Sequence, residues 1–414
     1  MTEREFAQQI VEQLRGQGFQ ALWAGGCVRD LLMGNTAHDY DVATDAKPQQ
    51  IRQIFGHART LAVGAAFGVI IVLSPDRKMQ VEVATFRTDA DYSDGRHPDS
   101  VTFSTPEMDA QRRDFTINGL FYDPIDCRVI DYVGGQEDLN KKVLRAIGDP
   151  EARINEDKLR MLRAVRFAAR FSLEIEPRTY SAICAHSSEV AKVSGERLAI
   201  ELRKTLETIR PSWATSKWAD SGLLEVLLPE VAETWVQEGA KIQAMLASAS
   251  THGWLARLSC ILWPMVQREL SGVIELTESL KQRLRMANDE IAAISFALSS
   301  QGRLETASRS LWSTVQPLLI SPWIETAVEL LSLRVAAGEV ADSEVQWLRQ
   351  ALSWPKEKLN PALLVTGQEL IQNGLKPGPK FKDLLQQVRD QQLDGILVDT
   401  AQAIEFVRRS ISNR

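Results

Sequence analysis

The spacing of apolar residues changes once along this chain of 414 residues, near Gly148-Asp149-Pro150. Before this point, short apolar runs of the strand type alternate with amphipathic segments of helical period. After it, almost every segment repeats its apolar residues three to four positions apart, as helices packed on helices do. The pattern therefore predicts an N-terminal α/β domain with a small mixed sheet, followed by an all-α C-terminal part.

The length of the chain predicts several domains, because a single ordinary core does not grow to this size. Turn residues and shifts in composition indicate breaks near residues 148, 210 and 330. We therefore predict domains at 1–148, 149–210, 211–330 and 331–414. In the first, we predict strands at Ala21–Ala24, Tyr40–Ala43, Arg59–Val63, Val69–Leu73 and Val81–Thr85, helices at 3–17, Val28–Met33 and Pro48–Phe55, and a hairpin at Phe121–Tyr132.

The composition is that of a globular protein, with 44% hydrophobic and 25% charged residues. The longest strongly apolar run, Gly68 to Leu73, is far too short to cross a bilayer, and the N-terminus does not resemble a signal peptide. Four scattered cysteines without a CxxC pair argue against a zinc site and a disulfide framework, so we expect a cytoplasmic protein. The net charge of −6 does not by itself indicate a nucleic-acid partner. Whether the protein binds a nucleic acid depends instead on whether its basic residues cluster on one face.

Gly25 and Gly26 lie between a predicted strand and a predicted helix. Glycines there let backbone N–H groups approach an anion at the start of a helix, and Arg29 adds a positive charge on the first turn. On its own this pair of glycines is better explained by an ordinary tight turn.

Three carboxylates follow. Asp39 and Asp41 are spaced by two, which in a strand places both on one face. Glu82 interrupts the apolar strand Val81–Thr85 and points away from its apolar neighbours. Like charges this close are unfavourable unless a cation lies between them, so the set predicts a site for Mg²⁺, which prefers oxygen ligands. The alternative is a solvated strand end.

Two further segments combine bases with acids. In RRDFTIN, residues 112–118, the group Arg113, Asp114 and Asn118 suits a ribose and a triphosphate, although a surface salt bridge is the simpler explanation. A helix is predicted over Glu156–Phe171 with Asn155 as its N-cap, which places Asp157 and Arg160 on one face. Basic residues continue along this helix at Arg160, Arg163, Arg166 and Arg170, where a solvated face is the alternative.

These segments together resemble the class II tRNA nucleotidyltransferase and bacterial poly(A) polymerase family, within the polymerase-β superfamily. The resemblance covers roughly residues 20–210, and five motifs in the right order make it specific. The motifs are GGCVRD at 25–30, DYD at 39–41, RRDFTIN at 112–118, EDKLR at 156–160 and GERLAIE at 195–201.

The resemblance implies a nucleotidyltransferase head followed by a helical neck, body and tail. It implies that two Mg²⁺ ions, bound at the acidic residues, activate the 3′-hydroxyl of tRNA for attack on the α-phosphorus. The helical body and tail would bind the acceptor and TΨC arms of the tRNA, and no protein or membrane partner is inferred. The implied metal ligands are Asp39, Asp41 and Glu82; the implied nucleotide-binding residues are Gly25, Gly26, Arg29, Arg113, Asp114, Asn118, Asp157, Arg160, Arg163 and Arg166.

Hydrogen-bond chemistry supports the assignment of Asp157 and Arg160 to the base. Cytosine and adenine each present an amino group beside a ring-nitrogen acceptor, which suit a carboxylate and a guanidinium. Uracil and guanine present the opposite pattern and would be rejected. The pair therefore predicts selection of CTP and ATP.

The choice within the family rests on two segments. The polar stretch Arg87–Asp99 predicts a mobile loop, which in this family accompanies addition of A after C. The stretch Val63–Gly68 has no basic residue, unlike poly(A) polymerases. We therefore predict addition of CCA to tRNA from CTP and ATP. Gly119, where alanine is more usual, keeps a CC-adding or A-adding enzyme open. A poly(A) polymerase, a non-catalytic RNA-binding paralogue and a metal-dependent phosphohydrolase are lesser alternatives.

Overall fold

The structure is a computed structural model that describes residues 1–37, 39–89, 101–267, 272–372 and 379–412. It divides into two compact units. The predicted boundaries at residues 148, 210 and 330 stay predictions. The first unit consists of Met1–Arg210 and Lys217–Leu227, and the second of Pro211–Ser216 and Leu228–Arg414.

A seven-stranded mixed sheet forms the centre of the first unit. Its strands are β1 (Ala21–Ala24), β2 (Asp41–Thr44), β3 (Thr60–Gly64), β4 (Val69–Leu73), β5 (Gln80–Thr85), β8 (Leu120–Asp123) and β9 (Arg128–Asp131). Two further pairs of strands lie outside this sheet: β6 (Arg87–Asp89) pairs with β7 (Val101–Phe103), and β10 (Val143–Leu144) pairs with β11 (Glu174–Ile175). The order is β3-β4-β5-β2-β1-β8-β9, in which β2 and β5 are parallel and the other neighbours antiparallel.

In the described residues up to 206, nine α-helices surround this sheet and continue beyond it. They are α1 (Glu3–Gly16), α2 (Gly26–Leu32), α3 (Pro48–Phe55), α4 (Pro106–Gln111), α5 (Gly135–Lys141), α6 (Pro150–Glu156), α7 (Arg160–Phe171), α8 (Pro177–His186) and α9 (Gly195–Leu206). The first begins with a capping box between Thr2 and Glu5, and it buries Phe6, Ile10 and Leu14 in the core of the sheet.

The helical C-terminal part follows, with fourteen α-helices among its described residues. They are α10 (Pro211–Asp220), α11 (Leu223–Leu227), α12 (Pro229–Ala232), α13 (Trp235–Ala247), α14 (Trp254–Val266), α15 (Gly272–Leu284), α16 (Asn288–Leu304), α17 (Trp312–Leu319), α18 (Ile324–Ala336), α19 (Asp342–Leu352), α20 (Lys356–Leu359), α21 (Gly367–Gln372), α22 (Pro379–Leu393) and α23 (Thr400–Ser412). In the described stretches from residue 211 onward there is no strand. None of the described helices is long and apolar enough to cross a membrane.

A buried cation organises part of the second unit. Arg334 of α18 is only 3% exposed and lies 4.0 Å from the centre of the Trp263 ring. It forms ion pairs with Glu305 at 2.6 Å and with Glu339 at 2.9 Å. Because an unmatched charge is costly to bury, these acids stabilise the packing of Arg334 between the helices.

Most predicted elements of the sheet domain are confirmed. The strands Ala21–Ala24 and Val69–Leu73 and the helix Pro48–Phe55 have the predicted bounds, and the hairpin turns after Asp123 as expected. The remaining strands are shifted by one residue at one or both ends. The two-residue strand β11 departs from the all-α prediction for the region after residue 148.

The predicted helix over Glu156–Phe171 is wrong at its start. Asp149 caps an earlier helix, α6, whose first residue is Pro150, and Asp157 ends it with an extended backbone at φ −149°. The next helix, α7, begins at Arg160. An Asp-Pro start is a strong local signal, so Asn155 lies inside α6 and is not an N-cap.

Two side chains on neighbouring strands of the sheet differ in burial, so we expect their substitution to differ in its effect on stability. Ile70 of β4 is fully buried, whereas Val63 of β3 is 87% exposed. We expect Ile70→Ala to lower the free energy of unfolding of the first unit by about 2 to 5 kcal/mol, because it leaves a cavity in the core. Val63→Ala, the matched control, is expected to stay within about 0.5 kcal/mol. Hydrogen exchange of the β4 and β5 amides measures both, and equal effects would contradict this account of the core.

Candidate active site

One cavity of about 900 Å³ in the first unit is lined by residues from every predicted motif except the last, GERLAIE. All the predicted site residues except Arg166 line it. They are Gly25, Gly26, Arg29, Asp39, Asp41, Glu82, Arg113, Asp114, Asn118, Asp157, Arg160 and Arg163.

The acidic end of the cavity is built by two parallel strands. Asp41 is the first residue of β2, and Val42 pairs with Val83 of β5, so Asp41 and Glu82 lie side by side at the same level of the sheet. Asp39 lies two residues before β2 and, as the predicted bounds Tyr40–Ala43 had it, outside the strand, so the argument that strand spacing places it on one face with Asp41 does not apply. It nevertheless lines the same cavity.

Negative charge is concentrated at this end. Desolvation within the cavity, together with the nearby carboxylates of Glu82 and Asp39, raises the pKa of Asp41 to about 6, against the opposing effect of Arg113. A bound cation would relieve this repulsion. Among the described residues, no group of three or more acidic, histidine or cysteine side chains can hold a metal ion by itself. Any cation here therefore needs further oxygen ligands from a substrate or from water.

Gly25 makes room for an arginine. Its φ of +70° lies in the left-handed region, and a Cβ atom there would stand 2.8 Å from the Nη1 atom of Arg113. That nitrogen donates to the backbone oxygen of Asn118 at 3.1 Å. The glycine therefore brings Arg113 against the backbone at the start of α2, beside the acidic end.

A chain of buried hydrogen bonds crosses the cavity wall. Arg29, which is 5% exposed, donates to the Oδ1 atom of Asn118 at 2.6 Å. The amide nitrogen of Asn118 donates to Asp114 at 3.0 Å, and Arg163 donates to the other oxygen of Asp114 at 2.9 and 2.6 Å. This chain joins α2, the RRDFTIN segment and α7.

Asp114 is the centre of that chain. Burial raises its pKa, but the charge of Arg163 and the donated hydrogen bonds outweigh burial and hold the pKa at about 2. The backbone N–H of Phe115 donates to Oδ1 as well, so the carboxylate accepts four hydrogen bonds. These fill its usual acceptor positions, and a ribose hydroxyl would have to replace one of the present donors.

Asp109 is a site residue that the sequence reasoning missed. It is 1% exposed and forms ion pairs with Arg112 at 2.8 Å and Arg113 at 3.0 Å. It also accepts from the backbone N–H of Arg87, at the start of β6. The spacing of three and four residues to the two arginines was an available signal. The predicted loop falls largely on residues 90–100, which lie outside the described residues.

Asp157 and Arg160, from the EDKLR segment, form another part of the cavity lining. The sequence suggested that these two are neighbours on one helical face, but Asp157 lies outside α7. Its Oδ2 atom instead pairs with Arg197 at 2.7 Å, and Arg160 pairs with Glu156 at 2.6 Å. Arg197, from the GERLAIE segment, was not predicted as a site residue.

Arg166 is separated from the cavity by its own ion pair. It is 5% exposed, it pairs with Glu201 of α9 at 2.5 Å, and it lies over the ring of Phe167. Its predicted contact with the nucleotide stays a prediction. Arg170 and Lys204, which were not predicted as nucleotide ligands, do line the cavity.

Comparison with known protein families gives two matches. Residues 21–145 match the family described as the poly A polymerase head domain. Residues 172–234 match the family described as the probable RNA and SrmB-binding site of polymerase A. The first match contains the acidic end of the cavity, and the second contains Arg197.

Individual proteins resemble the chain over nearly its whole length. The CCA-adding enzyme of Levilactobacillus brevis is 32% identical over 97% of this chain and 96% of its own length. That of Geobacillus stearothermophilus is 35% identical over 91% of this chain and 89% of its own. The crystal structure of the Bacillus stearothermophilus CCA-adding enzyme in complex with CTP has a TM-score of 0.78, is 26% identical and covers all of both chains.

The raised pKa of Asp41 predicts pH-dependent binding of a divalent cation. Asp41 must lose its proton to act as a ligand, so lowering the pH below about 6 should weaken Mn²⁺ binding, by up to about 10-fold per pH unit. Titration of free Mn²⁺ by electron paramagnetic resonance measures this. Asp41→Asn, the control, should bind weakly without this step, and a wild-type affinity that is constant from pH 7 to pH 5 would contradict the prediction.

Proposed function

This chain belongs to the family of CCA-adding enzymes, and we propose that its cavity is where it adds CCA to the 3′ end of tRNA, taking CTP and ATP and releasing pyrophosphate. The observation that carries the proposal is that one cavity is lined both by the carboxylates Asp39, Asp41 and Glu82 and by Asp157 and Arg160. Near-complete coverage by relatives named CCA-adding enzymes supports this activity over poly(A) synthesis or a non-catalytic role.

We propose Asp39, Asp41 and Glu82 as the ligands of the divalent ions that nucleotidyl transfer generally uses, with Mg²⁺ as the natural ion. Carboxylates that repel one another fit such an ion, and Mg²⁺ is commonly held by one or two carboxylates together with substrate phosphates. When bound, the metal would supply activation of the RNA 3′-hydroxyl and neutralisation of the phosphates.

The arginines beside the carboxylates would hold the triphosphate. Arg113 is fixed by Asp109 and by the oxygen of Asn118, and Arg29 by Asp30 and the side chain of Asn118. Fixed guanidinium groups bind phosphate oxygens with little loss of side-chain entropy. Their orientation would keep the α-phosphorus in line with the incoming 3′-hydroxyl.

At the other end, Asp157 and Arg160 would select the base without a template. The carboxylate accepts from the amino group of cytosine or adenine, and the guanidinium donates to the adjacent ring nitrogen. With uracil or guanine a carbonyl would face the carboxylate and a ring N–H would face the guanidinium. Both contacts would then be repulsive or unpaired, which is why one pair of residues suffices to accept two bases and reject two.

Binding of the tRNA itself would fall to the helical parts. The match of residues 172–234 to an RNA-binding family supports contacts from the predicted neck, residues 149–210, onward. We propose that the predicted body and tail, residues 211–330 and 331–414, hold the acceptor and TΨC arms. A cytoplasmic location is part of the proposal, and four free cysteines support it.

The activity test uses tRNA that lacks its CCA end, with Mg²⁺. We expect three added residues with CTP and ATP together and two with CTP alone. Asp41→Ala should lower the rate by at least about 100-fold, because it removes a proposed metal ligand, while the affinity for tRNA stays within about 2-fold. Gel electrophoresis of the products and filter binding measure these. Two added residues under every condition would mean CC addition, and long A tails would mean poly(A) synthesis.

Base selection tests the other end of the cavity. Asp157→Ala should lower the preference for CTP over UTP, and for ATP over GTP, by roughly 10- to 100-fold, because it removes the acceptor for the amino group. Single-turnover incorporation of each nucleotide measures the preference. Lys141→Ala, which removes an exposed cation paired with Glu137 outside the cavity, is the control. Unchanged rejection of UTP and GTP by Asp157→Ala would remove Asp157 from this role.

A further inference from the structure

We infer that Arg197 is a positioning residue for nucleotide selection: it holds the carboxylate of Asp157 in the orientation that accepts the amino group of the base. The inference rests on the proposed base-recognising role of Asp157. Arg197 does not line the cavity, so it would act on the nucleotide through Asp157 alone.

The first observation is that both oxygens of Asp157 are engaged. Oδ2 accepts from the Nη2 atom of Arg197 at 2.7 Å, and Oδ1 accepts from the backbone N–H of Leu159 at 3.0 Å. Two bonds to two different oxygens fix the rotation of the carboxylate about its side chain. Each oxygen keeps one further acceptor position, which leaves room for the amino group of a base.

The second observation is that the side chains of Asp157 and Arg160 do not form an ion pair with each other. The backbone N–H of Arg160 donates to the backbone oxygen of Asp157 at 3.0 Å, so the two residues share one turn. Oppositely charged side chains that close would ordinarily pair with each other. Arg160 instead donates to Glu156 at 2.6 Å and to the backbone oxygen of Arg153 at 3.0 Å.

These pairings determine which side chains are oriented toward the base of the nucleotide. An ion pair between Asp157 and Arg160 would turn the two groups toward each other and away from a base in the cavity. Arg197 on one side and Glu156 on the other keep the two groups apart. Without Arg197, the carboxylate loses one of its two restraints and would be open to pairing with an arginine of α7, such as Arg160 or Arg163.

The position of Arg197 favours a fixed geometry. It lies in the first turn of α9, and its side chain and that of Asp157 are 19% and 16% exposed. The same helix supplies Glu201, which pairs with Arg166 of α7 at 2.5 Å. Because that second, buried ion pair joins α9 to α7, the position of Arg197 is fixed relative to α7.

The test compares Arg197→Met, which keeps the length of the side chain and removes its charge, with Arg197→Lys, which restores the charge. We expect Arg197→Met to lower the preference for CTP over UTP, and for ATP over GTP, by roughly 10- to 100-fold, because the oriented acceptor is lost. The KM for CTP should rise more than kcat falls. Arg197→Lys should recover a large part of the preference. Single-turnover and steady-state incorporation measure these quantities.

The controls separate this role from a structural one. Arg203→Met removes another ion-paired arginine of α9, whose Nε atom lies 3.0 Å from Glu207, and should leave base preference unchanged. Melting temperatures monitor folding of every variant. If Arg197→Met and Arg197→Lys keep the wild-type preference, the inference is wrong, and so it is if Arg203→Met relaxes the preference equally.

A double variant separates the inference from the proposed function. If Asp157→Ala itself leaves the preference intact, the base-recognising role fails, and the inference with it. If Asp157→Ala relaxes the preference but Arg197→Met does not, the inference alone is overturned. If both relax it, adding Arg197→Met to Asp157→Ala should change the preference by less than about 2-fold, because Arg197 acts through Asp157.

Discussion

The buried carboxylate of Asp114 is the point on which the geometry of the cavity depends. It accepts from Arg163 of α7 on one oxygen and from Asn118 on the other, and Asn118 in turn accepts from Arg29 of α2. A charge buried to this degree is stable only while its partners stay in place. The helices α2 and α7 and the RRDFTIN segment therefore cannot move independently without exposing an unmatched charge.

Charge matching distinguishes the two ends of the cavity. Asp109, Asp114 and Glu156 each neutralise an arginine of the lining. In the part of the chain that the structure describes, no ion pair joins Asp39, Asp41 or Glu82 to a base. The raised pKa of Asp41 reflects this unmatched negative charge, which fits the proposed cation site, whereas the matched arginines fit walls that are rigid before the proposed nucleotide binds.

The sequence predicted those parts of the fold and site that depend on nearby residues. The strands β1 and β4 are short apolar runs bounded by turn residues, so their bounds were correct. The break between α6 and α7 was missed, because the apolar period continues across it while the Asp149-Pro150 start acts locally. Pairings such as Asp157 with Arg197, 40 positions apart, depend on how α9 packs, and no local pattern records that.

Selection without a template requires that the protein cannot adapt to the wrong base. A free carboxylate and a free guanidinium could rotate, exchange partners or pair with each other, and each adjustment would lower the penalty for uracil or guanine. The free-energy penalty for the wrong base stays high only while both groups keep one orientation. The reason is that the wrong base is rejected through unpaired and repulsive polar contacts and not through its size. With the proposed roles of Asp157 and Arg160, fidelity would therefore depend on Arg197 and Glu156, which form ion pairs with these two side chains.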